Sequence, residues 1–143
     1  MTELVFVDSH ILVYAHDADA GNKRHRARDR LQSLWSTGYG RVSIQLLQEF
    51  YVNATLKLTT PIARASAREV VAAYGTWVRE TTTVATVTRA SHLAELAQVS
   101  FWDALIVAAA EQAGATVLLS EDFQAGQAIA GIRVENPLLA VGL

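Results

Sequence analysis

The chain has no cysteine, which excludes disulfide bonds and thiolate metal sites. Proline and glycine are sparse, two and eight among 143 residues. No repeat or low-complexity tract is present, so nothing in the composition resembles the bias that keeps a chain disordered. Long apolar runs are missing too. The longest, Ala104 to Ala110, is far short of the roughly 20 residues needed to cross a bilayer. The stretch Met1-Thr-Glu-Leu-Val-Phe-Val-Asp8 puts an acid before a very short apolar run and lacks the basic flank and longer apolar segment of an export signal. A cytoplasmic protein without a membrane span is therefore expected.

What the chain does have is apolar mass. Apolar residues make up 51% of it, enough to bury the core of one domain over residues 1–143. The formal charge is −2, from 14 acids against 12 Lys and Arg, a poor basis for binding nucleic acid unless metal offsets it. Two divalent cations held by clustered acids would move that charge to about +2 and reverse its sign around the site.

Apolar runs and helical spacings alternate along the chain. Leu4 to Val7 reads as a buried parallel strand ending at an acid. A short helix follows from His10 to His16, and the polar stretch Asp17 to Asn22 breaks it. From Lys23, the residues Ala27, Leu31, Leu34 and Trp35 form the apolar face of a helix ending at Thr37-Gly38. Arg41-Val42 reads as a brief strand, and Ser43 caps a helix from Ile44 to about Leu58. Thr60-Pro61 signals the start of a long helix reaching about Glu80. Thr82 to Val87, rich in Thr and Val, reads as a strand, with Thr88 capping a short helix through Gln98. Ser100 caps a helix from Phe101 to Gln112, Gly114 ends it, and Thr116 to Leu119 and Ile132 to Val134 read as strands, with a turn at Asn136-Pro137. Strands alternating with helices predict an α/β fold, a three-layer α/β/α sandwich around a parallel sheet of four or five strands.

In open parallel sheets, sites form beyond the carboxyl ends of the strands. Asp8 and Asp122 both follow apolar strands there, although strand-end acids also serve as turn or cap residues. Glu49 lies among Leu46, Leu47, Phe50 and Val52. It either shares an exposed stripe with Gln45 and Gln48 or turns inward, where a carboxylate needs a partner or a metal. Ser100-Phe-Trp-Asp103 fits a capping box, which by itself explains Asp103. A helix start at the sheet's carboxyl edge also aims an acid into the crevice, with Phe101 and Trp102 anchoring that turn in the core. Together these hard oxygen donors suit Mg²⁺ or Mn²⁺. His10, His16, His25 and His92 show no metal-ligand spacing and read as structural or surface residues.

Taken together, Val5-Phe-Val-Asp-Ser9, Leu46-Leu-Gln-Glu-Phe-Tyr51, Phe101-Trp-Asp-Ala-Leu105 and Leu118-Leu-Ser-Glu-Asp-Phe123 resemble PIN-domain ribonucleases, most closely the VapC toxins of type II toxin–antitoxin modules. Motif order and spacing agree over nearly the whole chain, Asn136-Pro137 included. The resemblance implies a metal-dependent endoribonuclease whose acidic set is Asp8, Glu49, Asp103 and Asp122, with Ser9 and Ser120 as supporting hydroxyls. It implies Mg²⁺ or Mn²⁺ as cofactor, RNA as substrate, a VapB-type antitoxin as partner and a homodimer. His10 stands where many relatives carry Asn. Glu121 sits beside Asp122, and Ser120-x-Asp122 is the pairing that matches the family's hydroxyl-x-Asp pattern.

The densest basic run, Lys23 to Arg30, sets Lys23, Arg26 and Arg30 on one helical face, either against RNA phosphates or as a solvated face paired with Asp29. The apolar residues Leu46, Leu47, Phe50 and Tyr51 serve core packing or antitoxin contact, and Tyr74 and Trp77 serve core or dimer interface. Other enzyme classes fit less well. A phosphatase with an aspartyl nucleophile needs a second acid two residues after Asp8, where His10 stands, and a receiver domain needs a late-strand lysine, whereas the only lysines are Lys23 and Lys57. A PIN fold kept as a binding module without catalysis is the remaining alternative.

Overall fold

The computed structural model describes residues 3–139; residues 1, 2 and 140–143, at the ends of the expected domain, lie outside the described residues. The apolar run after Leu4 forms β1 (Val5–Val7) at the heart of the sheet. On one side it pairs with β2 (Gly40–Arg41), on the other with β3 (Val117–Leu119), which is followed by β5 (Ile132–Glu135) and, at the far edge, β4 (Ala128–Ile129). Pairing is parallel except between β4 and β5. Every residue of β1 and β3 is buried, whichever face it points to. Both faces are therefore covered, as a three-layer arrangement requires.

The one antiparallel edge, β4, was not legible in the sequence. Two residues are too few to show alternation, and the turn joining it to β5, Ala130-Gly131, has positive φ at both positions (53° and 77°) with only one glycine to signal it.

Helices cover the sheet. α1 (Ser9–His16) packs on α2 (Asn22–Thr37) and on α3 (Ile44–Val52), which continues into a π-helical turn over Asn53–Lys57. α4 (Arg64–Tyr74) ends in a 3₁₀ turn, Gly75–Trp77, and α5 (Val84–Ala97) packs along α6 (Phe101–Gln112). Among the described residues no single helix is long and apolar enough to cross a membrane.

Two expectations are corrected. Thr82 to Val87 is not a strand: Thr83 caps α5, its hydroxyl accepting from Thr86 N–H at 3.3 Å while Thr86 Oγ1 accepts from Thr83 N–H at 3.0 Å. The reciprocal cap outweighs the β preference of these residues, since Val84 and Val87 stay exposed and gain nothing from sheet packing. Thr88 accordingly lies inside the helix and does not cap it. The helix expected from Thr60-Pro61 to Glu80 begins only at Arg64 and stops at Tyr74. The Thr60 hydroxyl, the expected cap, instead donates to Asp19 Oδ2 at 2.8 Å.

Tyr74 and Trp77 are buried, in a cluster with Trp35 whose ring centroids lie 4.6 to 5.1 Å apart. They belong to the core, the first of the two roles expected of them. Trp77 lies against Gly40, where a Cβ would meet the indole at 2.5 Å, so β2 requires glycine at that point.

Candidate active site

Parallel pairing sets Val7 of β1 beside Leu119 of β3. The next residues, Asp8 and Ser120, therefore leave the sheet side by side at its carboxyl edge. Ser120 Oγ donates to Asp8 Oδ2 at 2.7 Å and accepts from the Asp122 N–H at 3.1 Å. Asp8 Oδ1 accepts from the Ser9 N–H at 2.7 Å and so caps α1. One carboxylate thus both caps α1 and takes the Ser120 hydroxyl at the sheet's carboxyl edge. Asp8 is 2% exposed. Burial pushes its pKa above the ordinary value and the charge of Asp122 adds to that push, while the Ser120 and Ser9 hydrogen bonds and His10 oppose it.

Asp122 reaches the same place from the segment after β3. One donor atom each of Asp8, His10 and Asp122 lies within 4.8 Å of the others. His10 Nδ1 is 2.9 Å from Asp122 Oδ2. The neighbouring Glu121 turns away: its two oxygens accept from the Tyr14 hydroxyl and from Lys23 Nζ, each at 2.6 Å. Burial alone would raise the Glu121 carboxyl, but the hydrogen bonds of Lys23 and Tyr14 hold it below its ordinary value.

Glu49 is half-buried on α3. Burial raises its pKa first, then the charge of Asp8, with Asp103 adding to the same side and His10 and Ser9 opposing. Asp8 thus feels the charge of Asp122, and Glu49 those of Asp8 and Asp103, while Glu49 and Asp103 stay outside the tight group of three. Ser43 caps α3 by accepting from Leu46 N–H at 3.4 Å, which fixes the helix that carries Glu49. Ser100 caps α6 in the same way, accepting from Asp103 N–H at 3.1 Å. Among the described residues the return bond from Ser100 N–H to the Asp103 carboxylate is not made, which leaves that carboxylate free of the cap.

Trp102 differs from expectation. It is 66% exposed and stacks edge-on against Phe101 at 5.3 Å, so the α6 turn is not anchored in the core by Trp102. The basic row of α2 is already engaged: Lys23 with Glu121, Arg26 with the Leu138 carbonyl at 3.1 Å, and Arg30 near Glu135 at 3.8 Å. It starts beside the acids and runs away from them along the helix. His10 is the residue that spacing along the chain missed. Its partner Asp122 comes from the other half of the sequence, and only the β1–β3 pairing brings the two together.

A sequence model of the family described as PIN domain matches residues 5–128. Among solved structures, the chain is similar to VapC20 of Mycobacterium tuberculosis, described as a Sarcin-Ricin loop cleaving toxin. The TM-score is 0.59 at 20% identity, over 82% of this chain and 89% of that one. At this identity the likeness speaks for the fold. The comparison with curated proteins finds no match.

Proposed function

The chain belongs to the PIN domain family, and from that premise we propose that it is a metal-dependent endoribonuclease, the cytoplasmic toxin of a type II toxin–antitoxin pair. In this reading Asp8, Glu49, Asp103 and Asp122 hold Mg²⁺ or Mn²⁺ and cut an RNA phosphodiester. The observation that carries it is the meeting of Asp8 and Asp122 around Ser120 Oγ at the sheet's carboxyl edge. The fold neighbour VapC20, described as a Sarcin-Ricin loop cleaving toxin, supports the same reading.

The residues fit a divalent cation. Their donors are hard oxygens, and the raised Asp8 and Glu49 carboxyls are destabilised by burial and mutual repulsion that positive charge relieves. Such an ion, when bound, supplies a more acidic water and charge for the attacked phosphate. The chain supplies the rest. Ser120 and Ser9 hold the Asp8 carboxylate in one orientation, and the Ser120 hydroxyl fixes the turn that carries Asp122. Lys23 and Tyr14 draw Glu121 away, which supports Asp122 as the fourth acid. Arg26 and Arg30, continuing from Lys23, line a groove of about 670 Å³ with Arg133, Asp29 and Glu135, and RNA phosphates following it exchange with the present partners of these arginines, the Leu138 carbonyl and Glu135.

A VapB-type antitoxin and a homodimer belong to the same proposal. Leu46 and Phe50 are fully buried and serve the core. Ile44, Leu47, Tyr51, Val52 and Val71 line an apolar groove of about 590 Å³ between α3 and α4, of a size to receive an antitoxin segment. Light scattering of the purified chain reads the oligomeric state. The function is tested by incubating the protein with total cellular RNA and Mg²⁺ or Mn²⁺, beside Asp8→Asn, and mapping the cut ends. Discrete cuts made only by the unaltered chain are expected. Metal binding without any cut on any RNA favours a binding module instead.

A further inference from the structure

His10 is placed oddly for a residue that only holds its neighbour. Its imidazole is 42% exposed, yet Nδ1 itself is closed off from solvent and has no aligned hydrogen-bond partner. Asp122 Oδ2 is only 2.9 Å away, yet the two atoms do not make an aligned hydrogen bond. A buried ring nitrogen left without a partner needs a group to satisfy it. A cation meets that need, because Nδ1 and the carboxylates of Asp8 and Asp122 can all present lone pairs to it. The Asp8 carboxylate offers a further donor within 4.8 Å of both.

We propose that His10 Nδ1 is a direct ligand of the cation held by Asp8 and Asp122, so that this site selects a first-row transition ion over Mg²⁺. The proposal rests on the metal-dependent reading above and adds its coordination and its preference. Mg²⁺ is bound through oxygen and gives up its waters reluctantly, whereas an imidazole nitrogen in the shell favours transition ions. Ser120 and Ser9 fix the Asp8 carboxylate, and the β1–β3 pairing fixes the distance between the α1 start and the Asp122 turn. The backbone positions of His10 and Asp122 are thus set by the fold before any cation arrives.

The test uses the full chain stripped of metal with chelator, then loaded with Mn²⁺ alone. Pulsed electron paramagnetic resonance of the bound Mn²⁺ is expected to show coupling to a directly bonded ¹⁴N. That signal disappears in His10→Asn, while thermal melting confirms that the variant is folded. Calorimetric titration is expected to give Mn²⁺ binding at least about tenfold tighter than Mg²⁺ in the unaltered chain. His10→Asn weakens Mn²⁺ by about tenfold or more and moves Mg²⁺ much less. Mn²⁺ that binds the unaltered chain and depends on Asp8, but shows no nitrogen coupling, overturns the role of His10 and leaves the metal site standing. A chain that takes up neither ion overturns both.

Discussion

The Ser120 hydroxyl donates to Asp8 Oδ2 at 2.7 Å across the join between β1 and β3. That hydroxyl adds to the backbone bond from Asp8 N–H to the Leu119 carbonyl at the carboxyl ends of the two strands, orients the buried acid and, by accepting from Asp122 N–H, sets the second acid beside the first.

Ser120→Ala removes this tie without enlarging a side chain in a fully buried position. Supporting hydrogen bonds of this kind are worth about 10- to 100-fold in metal affinity or activity, and a loss of that size in RNA cleavage is expected. The Ser120 bond also holds the Asp8 pKa down. Its loss lets that pKa rise further, so the acid limb of the pH–rate profile moves to higher pH. An unmoved limb would separate Ser120 from Asp8.

The metal-free fold should gain from neutralising Asp8. Its pKa in the fold lies above the ordinary 3.8. Protonated Asp8 therefore stabilises the fold in acid, and that contribution is lost as the pH climbs through the raised value. In chelator at neutral pH, Asp8→Asn is expected to melt at a higher temperature than the unaltered chain. The difference should shrink as the pH falls and the native carboxyl takes up its proton. Thermal melts across the acid range read both effects.

Gly40→Ala tests the core beneath β2. The added methyl would sit 2.5 Å from the Trp77 ring, an overpacking that costs about 1–3 kcal/mol by urea titration. Trp77→Leu removes the clashing ring, so the double variant should lose less than the sum of the two single losses.

Lys23→Ala breaks the pair with Glu121 and removes one cation from the basic row of α2. Binding of a single-stranded RNA to the Asp8→Asn protein is expected to weaken, with the slope of log affinity against log salt falling by about 0.7. An unchanged slope would confine Lys23 to holding Glu121.

The parallel sheet was legible in the sequence where the strands are wholly apolar, as at Val5–Val7 and Val117–Leu119, because burial on both faces leaves no other composition. The caps at Ser43 and Ser100 were legible for the same local reason, a hydroxyl ahead of an apolar helix. Thr82 to Val87 misled because a Thr-rich stretch has strand composition, whereas Thr83 and Thr86 use their hydroxyls to start a helix. The aligned strand ends at Asp8 and Asp122 pointed to the crevice. The contact of His10 with Asp122, and the capture of Glu121 by Lys23 and Tyr14, depend on side chains that meet only once the sheet is built. No spacing along the chain encodes them.

The most direct measurement is the rate of RNA cleavage against Mn²⁺ concentration, for the unaltered chain and for Asp8→Asn, with chelator as the zero point. Cleavage that saturates with metal, stops in chelator and is absent from folded Asp8→Asn is the expected result. Cleavage that continues at full rate in chelator, or survives in Asp8→Asn, would contradict the account.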